Sequence, residues 1–200
     1  MNVRLQYDTG FLAGVYFNEC LQINSYSVNL SFVTGVSDSK AINVAMERLK
    51  YFLHYELGDA VFANQAHREQ AEMLYTLGVN IVTLPEEPVD QIIGMMLYCK
   101  LNAIMEGRMV ITGLDIASTL GDDVWYRHDD DDALGPLSQD GWWHRPNLQH
   151  HDIDLDDTPE NVVKVQNQGW AELGLTWHEE TAHKSNNTVV YPDFKRNENK

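Results

Sequence analysis

The sequence is poor in cysteine, in cations and in long apolar runs. Only two of its 200 residues are cysteines, Cys20 and Cys99, and their wide separation predicts free thiols and a cytoplasmic protein. No apolar run reaches the roughly eighteen residues of a membrane span, and the N-terminus lacks the pattern of a signal peptide. Lys and Arg together number 14 against 30 acids. The surface therefore lacks the clustered cations that binding to a nucleic-acid backbone requires.

The acidic charge is concentrated in one segment. Residues 121–160 hold twelve acids and two Arg, a net charge of −10, whereas residues 161–200 are neutral. The acidic segment contains "HDDDD" at 128–132 and "HHDIDLDD" at 150–157. Carboxylate oxygens are ligands for Ca²⁺ or Mg²⁺, but a solvated acidic loop is the plainer interpretation. The candidate ligands of a weak cation site are Asp129, Asp131, Asp152 and Asp154.

One motif near the C-terminus is similar to a zinc-protease signature but fails on spacing. The run "HEETAH" places His178 and His183 five residues apart, whereas that signature needs four. On a helix the two imidazoles would diverge by roughly 140°. The spacing therefore excludes a helical metalloprotease site. Phosphate loops and the Gly-x-Ser-x-Gly elbow are also absent from the sequence.

Hydrophobic periodicity predicts strands, then helices, then strands. Apolar residues alternate over 3–7 and 26–32, and "FLAGVYF" is a further extended piece. Three helices are expected next, from Ser39 to Gly58, from Asp59 or Asn64 to Leu77, and from Pro85 in the first turn to Gly107. Two strands, "RMVITGLDIAS" and "DDVWYRH", follow. The order predicts an α+β fold with an antiparallel sheet of two strand pairs that flank the helices.

The chain divides near residue 128. Residues 1–128 carry the periodic pattern and are expected to form the core domain. Residues 129–200 begin with the acidic loop and contain four of the five Trp, at 142, 143, 170 and 177. Because disordered tails are poor in aromatic residues, we expect an irregular arm that packs on the core or on a neighbouring subunit.

Several short motifs accompany this order of elements along residues 3–128. They are "FLAGV" at 11–15, Cys20, "NSY" at 24–26, Thr34-Gly35, "ERLK" at 47–50, "LPEEP" at 84–88, Asp115 and Tyr126. Together, the order of elements and these motifs resemble the T-fold, the subunit of 6-pyruvoyl- and 6-carboxy-tetrahydropterin synthases.

The resemblance implies a zinc site that this sequence does not keep. In that family three His bind the metal, and the matching positions here hold Val15, Asn24 and Tyr26. Val has no ligand atom, and neutral Asn and Tyr are poor replacements for imidazole. Zinc-dependent pterin chemistry is therefore not expected, and no cofactor follows from the sequence. Cys20, at the place of a catalytic Cys in some members, has no neighbouring base in the sequence and is interpreted as an ordinary strand residue.

The resemblance also implies a ligand anchor and an oligomer. In T-fold enzymes an acid at a subunit interface accepts two N–H bonds from a purine-like or pterin-like ring, and Asp115 matches that acid. The expected protein is a non-catalytic or zinc-independent homo-oligomer that binds a planar heterocycle. One alternative is an acidic assembly protein, of the kind found in tailed phages, that contacts a basic partner through residues 121–160. Another is an enzyme whose site forms between subunits.

Overall fold

The computed structural model describes residues 4–129, 132–152 and 169–177. The strands and helices are β1 (Arg4–Phe17), β2 (Cys20–Thr34), α1 (Ser39–Tyr51), β3 (Val61–Asn64), α2 (Arg68–Thr76), β4 (Ile81–Leu84), α3 (Asp90–Met105), β5 (Met109–Ser118) and β6 (Tyr126–Asp129). The six strands form one sheet in the order β4-β3-β1-β2-β5-β6. The predicted α+β class is thus confirmed.

The long antiparallel hairpin β1–β2 is the centre of the sheet. Its pairing runs from Arg4 opposite Val33 to Phe17 opposite Cys20. Side chains alternate between a buried face, packed beneath α1 and α3, and a face open to solvent. The alternation predicted over 26–32 is confirmed, and its inward side chains are all buried. β5 pairs antiparallel with β2, and β6 pairs antiparallel with β5.

The other two strands correct the prediction of a purely antiparallel sheet. β3 pairs in parallel with β1 at Gly14 and Val15, and β4 pairs in parallel with β3. The segment expected to be helical from Asp59 or Asn64 to Leu77 contains β3 and the shorter helix α2. Helix α2 covers the face opposite to α1 and α3, so both faces of these strands are buried. Such strands read as short continuous apolar runs and carry no alternation.

Helix boundaries also differ from the predicted ones. Helix α1 continues as a π-helical turn, Phe52–Glu56. Helix α3 begins at Asp90, five residues after Pro85, with Val89 as its extended N-cap. The Asp90 carboxylate accepts a hydrogen bond from the Ser118 hydroxyl (2.7 Å), which ties the start of α3 to the end of β5. A buried acid in the first turn also complements the helix dipole.

Residues after β6 complete the core through a buried lysine. Lys100 on α3 is fully buried, and its Nζ donates to the carbonyl oxygens of Trp142 (3.2 Å), Arg145 (2.9 Å) and Asn147 (2.7 Å). Three acceptors satisfy the three donors of an ammonium group. Burial, reinforced by Arg145, lowers the pKa of Lys100 to about 7, and Glu56 opposes that shift. One side chain thus fixes the path of six residues of irregular backbone.

The same segment covers the exposed edge of β4. The Trp142 indole Nε1 donates to the Thr83 carbonyl (2.8 Å), and the Thr83 amide donates to the His150 carbonyl (3.1 Å). Trp142 is completely buried in the main core. Covering a strand edge in this way removes a template for unwanted pairing.

Residues 169–177 pack against α1 and the end of α3. The guanidinium of the buried Arg48 lies 3.9 Å from the Trp177 ring centroid and 4.8 Å from that of Trp170. Arg48 also donates to the Leu175 carbonyl (2.7 Å) and to Glu106 (2.8 Å), and the Trp177 indole donates to the same Glu106 oxygen (2.9 Å). Cation–π and hydrogen-bond contacts therefore share one arginine.

Several sequence motifs lie outside the described residues. These are the "HEETAH" run at 178–183, most of "HHDIDLDD", and the candidate cation ligands Asp131 and Asp154. Within the described part, no helix is long and apolar enough to cross a bilayer. Cys20 and Cys99 are both free, and burial raises the pKa of the Cys99 thiol to about 12.

We expect His150 to make the fold sensitive to acid. Burial lowers the pKa of His150 to about 4, below the ordinary value of 6.5. Between these values the unfolded chain binds more protons than the folded chain, so stability falls as the pH drops from 6.5 to 4, by up to about 3 kcal/mol. Burial raises the pKa of the adjacent Glu56, which opposes part of the loss.

Urea unfolding at several pH values measures how stability changes with pH. His150→Gln should flatten the slope and His54→Gln should not, and equal slopes in the wild type and His150→Gln would refute the assignment.

Candidate functional site

A row of polar side chains crosses the open face of the sheet. Asp8 on β1 stands opposite Asn29 on β2, Asn29 opposite Asp115 on β5, and Asp115 opposite Arg127 on β6. The Asn29 amide donates to Asp8, and the Gln6 amide donates to Asn29. Since register places these four residues side by side, the row is a property of strand pairing.

Asp115 and Arg127 form the strongest polar contact of this row. Arg127 Nε lies 2.7 Å from Asp115 Oδ1, and Arg127 Nη2 lies 3.1 Å from Oδ2. The pair is bidentate, and it raises the pKa of Arg127. The Asp115 side chain is 24% exposed and that of Arg127 is 72% exposed. Both carboxylate oxygens thus have a donor, yet the contact faces solvent.

An open pocket surrounds this pair. Its volume is about 530 Å³, and Asn29, Asp115, Trp125 and Arg127 line it. The Trp125 side chain is 56% exposed, which is unusual for so large an apolar surface. A carboxylate with two parallel acceptor positions beside an exposed indole can bind a planar ring by hydrogen bonding and by stacking.

The three positions that match the family's zinc ligands lie on the buried face of the β1–β2 hairpin. Asn24 and Tyr26 are two residues apart on β2, and Val15 pairs with Gln22. All three side chains are buried beneath the helices. The hairpin therefore brings them near one another, but their chemistry is not that of a metal site. Among the residues that the structure describes, no group of three or more His, Cys, Asp or Glu is placed to hold a metal ion.

The Asn24 and Tyr26 side chains form hydrogen bonds and ring contacts that stabilise the core. The Asn24 Oδ1 atom accepts hydrogen bonds from the Thr119 hydroxyl (3.0 Å) and from the Leu120 amide (3.0 Å). The Tyr26 ring stacks on Phe11, with 5.0 Å between centroids. Burial raises the pKa of the Tyr26 phenol, and the neighbouring Asn24 side chain partly opposes the shift. A neutral phenol, an engaged amide and a valine do not fit zinc.

Some of the described acids of the acidic segment form hydrogen bonds or ion pairs within the chain. Asp152 accepts from the Trp142 amide (3.2 Å) and pairs with Arg145 (3.0 Å). Asp132 accepts from the Asp129 amide (2.9 Å), and Asp129 lies beside Gly113 on the open face of the sheet. Asp129 and Asp152 therefore occupy different surroundings, one on the open sheet face and the other on the segment that covers α3. His128, the first residue of "HDDDD", points inward and stacks on Tyr98.

A second open pocket, of about 560 Å³, lies at the free edge of β1. Thr9, Gly10, His54 and Asp59 are among its lining residues. The π-helical turn places His54 Nε2 within 3.3 Å of both the Tyr7 and the Thr9 hydroxyls. Because β3 pairs with β1 only at Gly14 and Val15, the described residues leave the first half of this edge unpaired. The pocket is therefore a gap beside an open strand.

The described chain is an α+β protein with its main helices on one face of a central antiparallel hairpin. It is similar in structure to an uncharacterized protein from Wolinella succinogenes, with a TM-score of 0.47 and 11% identity over 66% of this chain and 99% of that one. It is also similar to the 6-pyruvoyl tetrahydropterin synthases of Plasmodium falciparum and Plasmodium vivax. Both give a TM-score of 0.42, with 12% and 10% identity, over 64% of this chain and 96% and 97% of theirs.

These structures include the family that the sequence resembles, so the expected resemblance is confirmed. At such identities and TM-scores it concerns the fold, and no function is transferred from it. No family model matches the sequence, and no curated protein matches it.

Sequence reasoning missed two of the residues that line the Asp115 pocket. Trp125 and Arg127 lie within "DDVWYRH", which predicts a strand, but the sequence does not state the register of that strand. A shift of one residue would place Arg127 on the other face. The signal in the sequence is a cation, Arg127, two residues after Trp125, in a strand that follows the one with the acid Asp115.

We expect Asn24, at one of the positions that match zinc ligands in the family that the sequence resembles, to contribute to stability. Asn24→Ala would leave the Leu120 amide and the Thr119 hydroxyl without their acceptor, which costs about 1–3 kcal/mol. Asn29→Ala, on the open face, is the matched control and should change the free energy of unfolding by less than about 0.5 kcal/mol. Urea unfolding measures both variants. Equal effects would show that Asn24 has no special structural role.

Proposed function

We propose that this chain forms a homo-oligomer whose subunits bind a planar heterocycle at Asp115 without zinc. The ligand class is a neutral ring with two adjacent N–H donors on one edge, as in guanine and pterins. Asp115 accepts both donors, and Trp125 supplies a stacking surface. The proposal assigns no covalent chemistry to the site.

The observation that carries this proposal is the bidentate contact of Asp115. Both of its oxygens already accept from a planar pair of N–H groups, at 2.7 and 3.1 Å. The carboxylate therefore has the orientation that two parallel donors need. The pocket of about 530 Å³ is within the size range of small-molecule sites, although it is more open than most.

Two features of the described residues support self-association. The first half of β1 has no described strand beside it, and the edge of the sheet on the far side is the four-residue strand β6. Unpaired edges favour pairing with another chain. Apolar side chains are also exposed at the end of the hairpin and in the turn after β5. They are Leu12, Leu21, Ile23, Leu120, Val124 and Trp125.

Self-association through these edges and side chains would also affect the proposed ligand site. A second subunit that pairs with β1 would fill the gap beside His54, and one that covers the open sheet face would enclose the Asp115 pocket. Enclosure strengthens hydrogen bonds to a carboxylate because water no longer competes for its oxygens.

We expect Asp115→Asn to weaken binding of guanosine. The substitution keeps the shape of the side chain but replaces one acceptor oxygen by a donor NH₂ group. The loss of a hydrogen bond to a charged group, worth about 1.5–3 kcal/mol, corresponds to a loss of affinity of roughly tenfold to a hundredfold. Isothermal titration calorimetry measures it. Asp8→Asn, which alters another carboxylate of the same row, is the control, and an Asp115→Asn variant as tight as the wild type would contradict the proposal.

We expect the full chain to be larger than a monomer in solution. Multi-angle light scattering gives the mass directly, and one subunit is 22.9 kDa. Ile23→Asp on the exposed end of the hairpin should reduce the mass because it buries a charge in the contact. Met73→Asp, on the exposed side of α2, is the control. A monomeric wild type at micromolar concentration would rule out the homo-oligomer.

A further inference from the structure

The contact between Asp115 and Arg127 has the same chemistry as the ligand contact proposed above. A guanidinium presents two parallel N–H groups on a planar N–C–N unit. The edge of guanine or of a pterin that carries the 2-amino group and the adjacent ring N–H is also an N–C–N unit with two parallel donors. Arg127 thus places on Asp115 the donor pattern that such a ring would place there.

Both contacts cannot exist at once. Arg127 Nε and Nη2 lie on opposite oxygens of the carboxylate, 2.7 and 3.1 Å away, in its bidentate acceptor direction. A ring edge that seeks the same two oxygens in the same plane would overlap the guanidinium. The site in the described structure is therefore filled by a side chain of its own chain.

We propose that Arg127 is an intramolecular competitor of the ligand, which holds Asp115 in the bidentate orientation and swings away when a ring with a cyclic guanidine edge binds. This inference rests on the proposed function. It gives a physical reason for the ligand class proposed above, because the ring has to replace both N–H bonds of Arg127, and rings such as adenine, whose edges alternate donor and acceptor, cannot do so.

The surroundings of Arg127 allow this movement. Its side chain is 72% exposed and belongs to the four-residue edge strand β6. Ion pairs in such exposed positions are weak, since water and salt screen them and ordering a long side chain costs entropy. Asp115 sits on β5, between β2 and β6, and is the less exposed partner. The acceptor thus remains fixed while the competitor leaves.

The test compares guanosine and adenosine on four proteins by calorimetry. They are the wild type, Arg127→Ala, Arg127→Ala combined with Asp115→Asn, and the control Arg4→Ala, which removes an exposed cation from the distant end of β1. Because removal of the competitor leaves the acceptor intact, Arg127→Ala should bind guanosine about two- to fivefold more tightly than the wild type. Arg4→Ala should match the wild type, and the double variant should lose binding.

Salt provides a second readout that a purely structural role would not change. Screening weakens the Asp115–Arg127 pair, so the ratio between the affinities of Arg127→Ala and the wild type should shrink towards one as NaCl rises from 50 mM to about 0.5 M. Far-UV circular dichroism checks that the variants keep their fold.

The outcomes separate this inference from the proposed function. If Arg127→Ala binds guanosine equally or more weakly than the wild type, Arg127 is not a competitor, and the ligand site at Asp115 stands. If no variant binds guanosine, including Arg127→Ala, the ligand site itself is refuted. Equal affinity for adenosine and guanosine in Arg127→Ala would show that the site does not select a ring edge with two adjacent N–H donors.

Discussion

Helix α3 has to be covered on every side, and the rest of the structure depends on that requirement. Eleven of its sixteen residues are buried, so its apolar surface runs around the whole helix. The sheet covers one side, α1 covers a second, and the segment after β6 covers a third. Without that last segment and its buried Trp142, the aliphatic stem of Lys100 would lose its cover. Leu137, Trp142, Trp143 and Leu148 therefore belong to the same core as the residues before β6.

Lys100 shows why an irregular segment can have a defined path. An ammonium at this depth is costly unless each of its donors has an acceptor. The carbonyl oxygens of Trp142, Arg145 and Asn147 supply those acceptors, and the Trp142 carbonyl also accepts from the Arg145 amide (3.1 Å). The lysine and this segment therefore stabilise each other. A comparable dependence links Arg48, Glu106 and Trp177 at the far end of the helices.

The two faces of the β1–β2 hairpin have separate roles. On the inner face, the positions that match metal ligands in the resembling family hold an apolar side chain, an aromatic ring and an amide with two hydrogen bonds. Their contacts stabilise the core, and the three side chains do not offer the ligand atoms that zinc prefers. On the outer face, the row from Asp8 to Arg127 remains accessible. The ligand site proposed above lies on the outer face, where polar side chains can change partners without disturbing the core.

The sequence by itself predicted the α+β class, the alternating strand over 26–32 and a helix in the region of α3. These features are local, since period and residue type state them directly. Only the tertiary structure decided that four-residue runs such as "VFAN" are parallel strands, because so short a run carries no period and its pairing is non-local. It also decided that Arg127 meets Asp115, because a contact across a sheet depends on register. Asp115 was thus a candidate from the sequence alone, whereas its contact with Arg127 appears only in the tertiary structure.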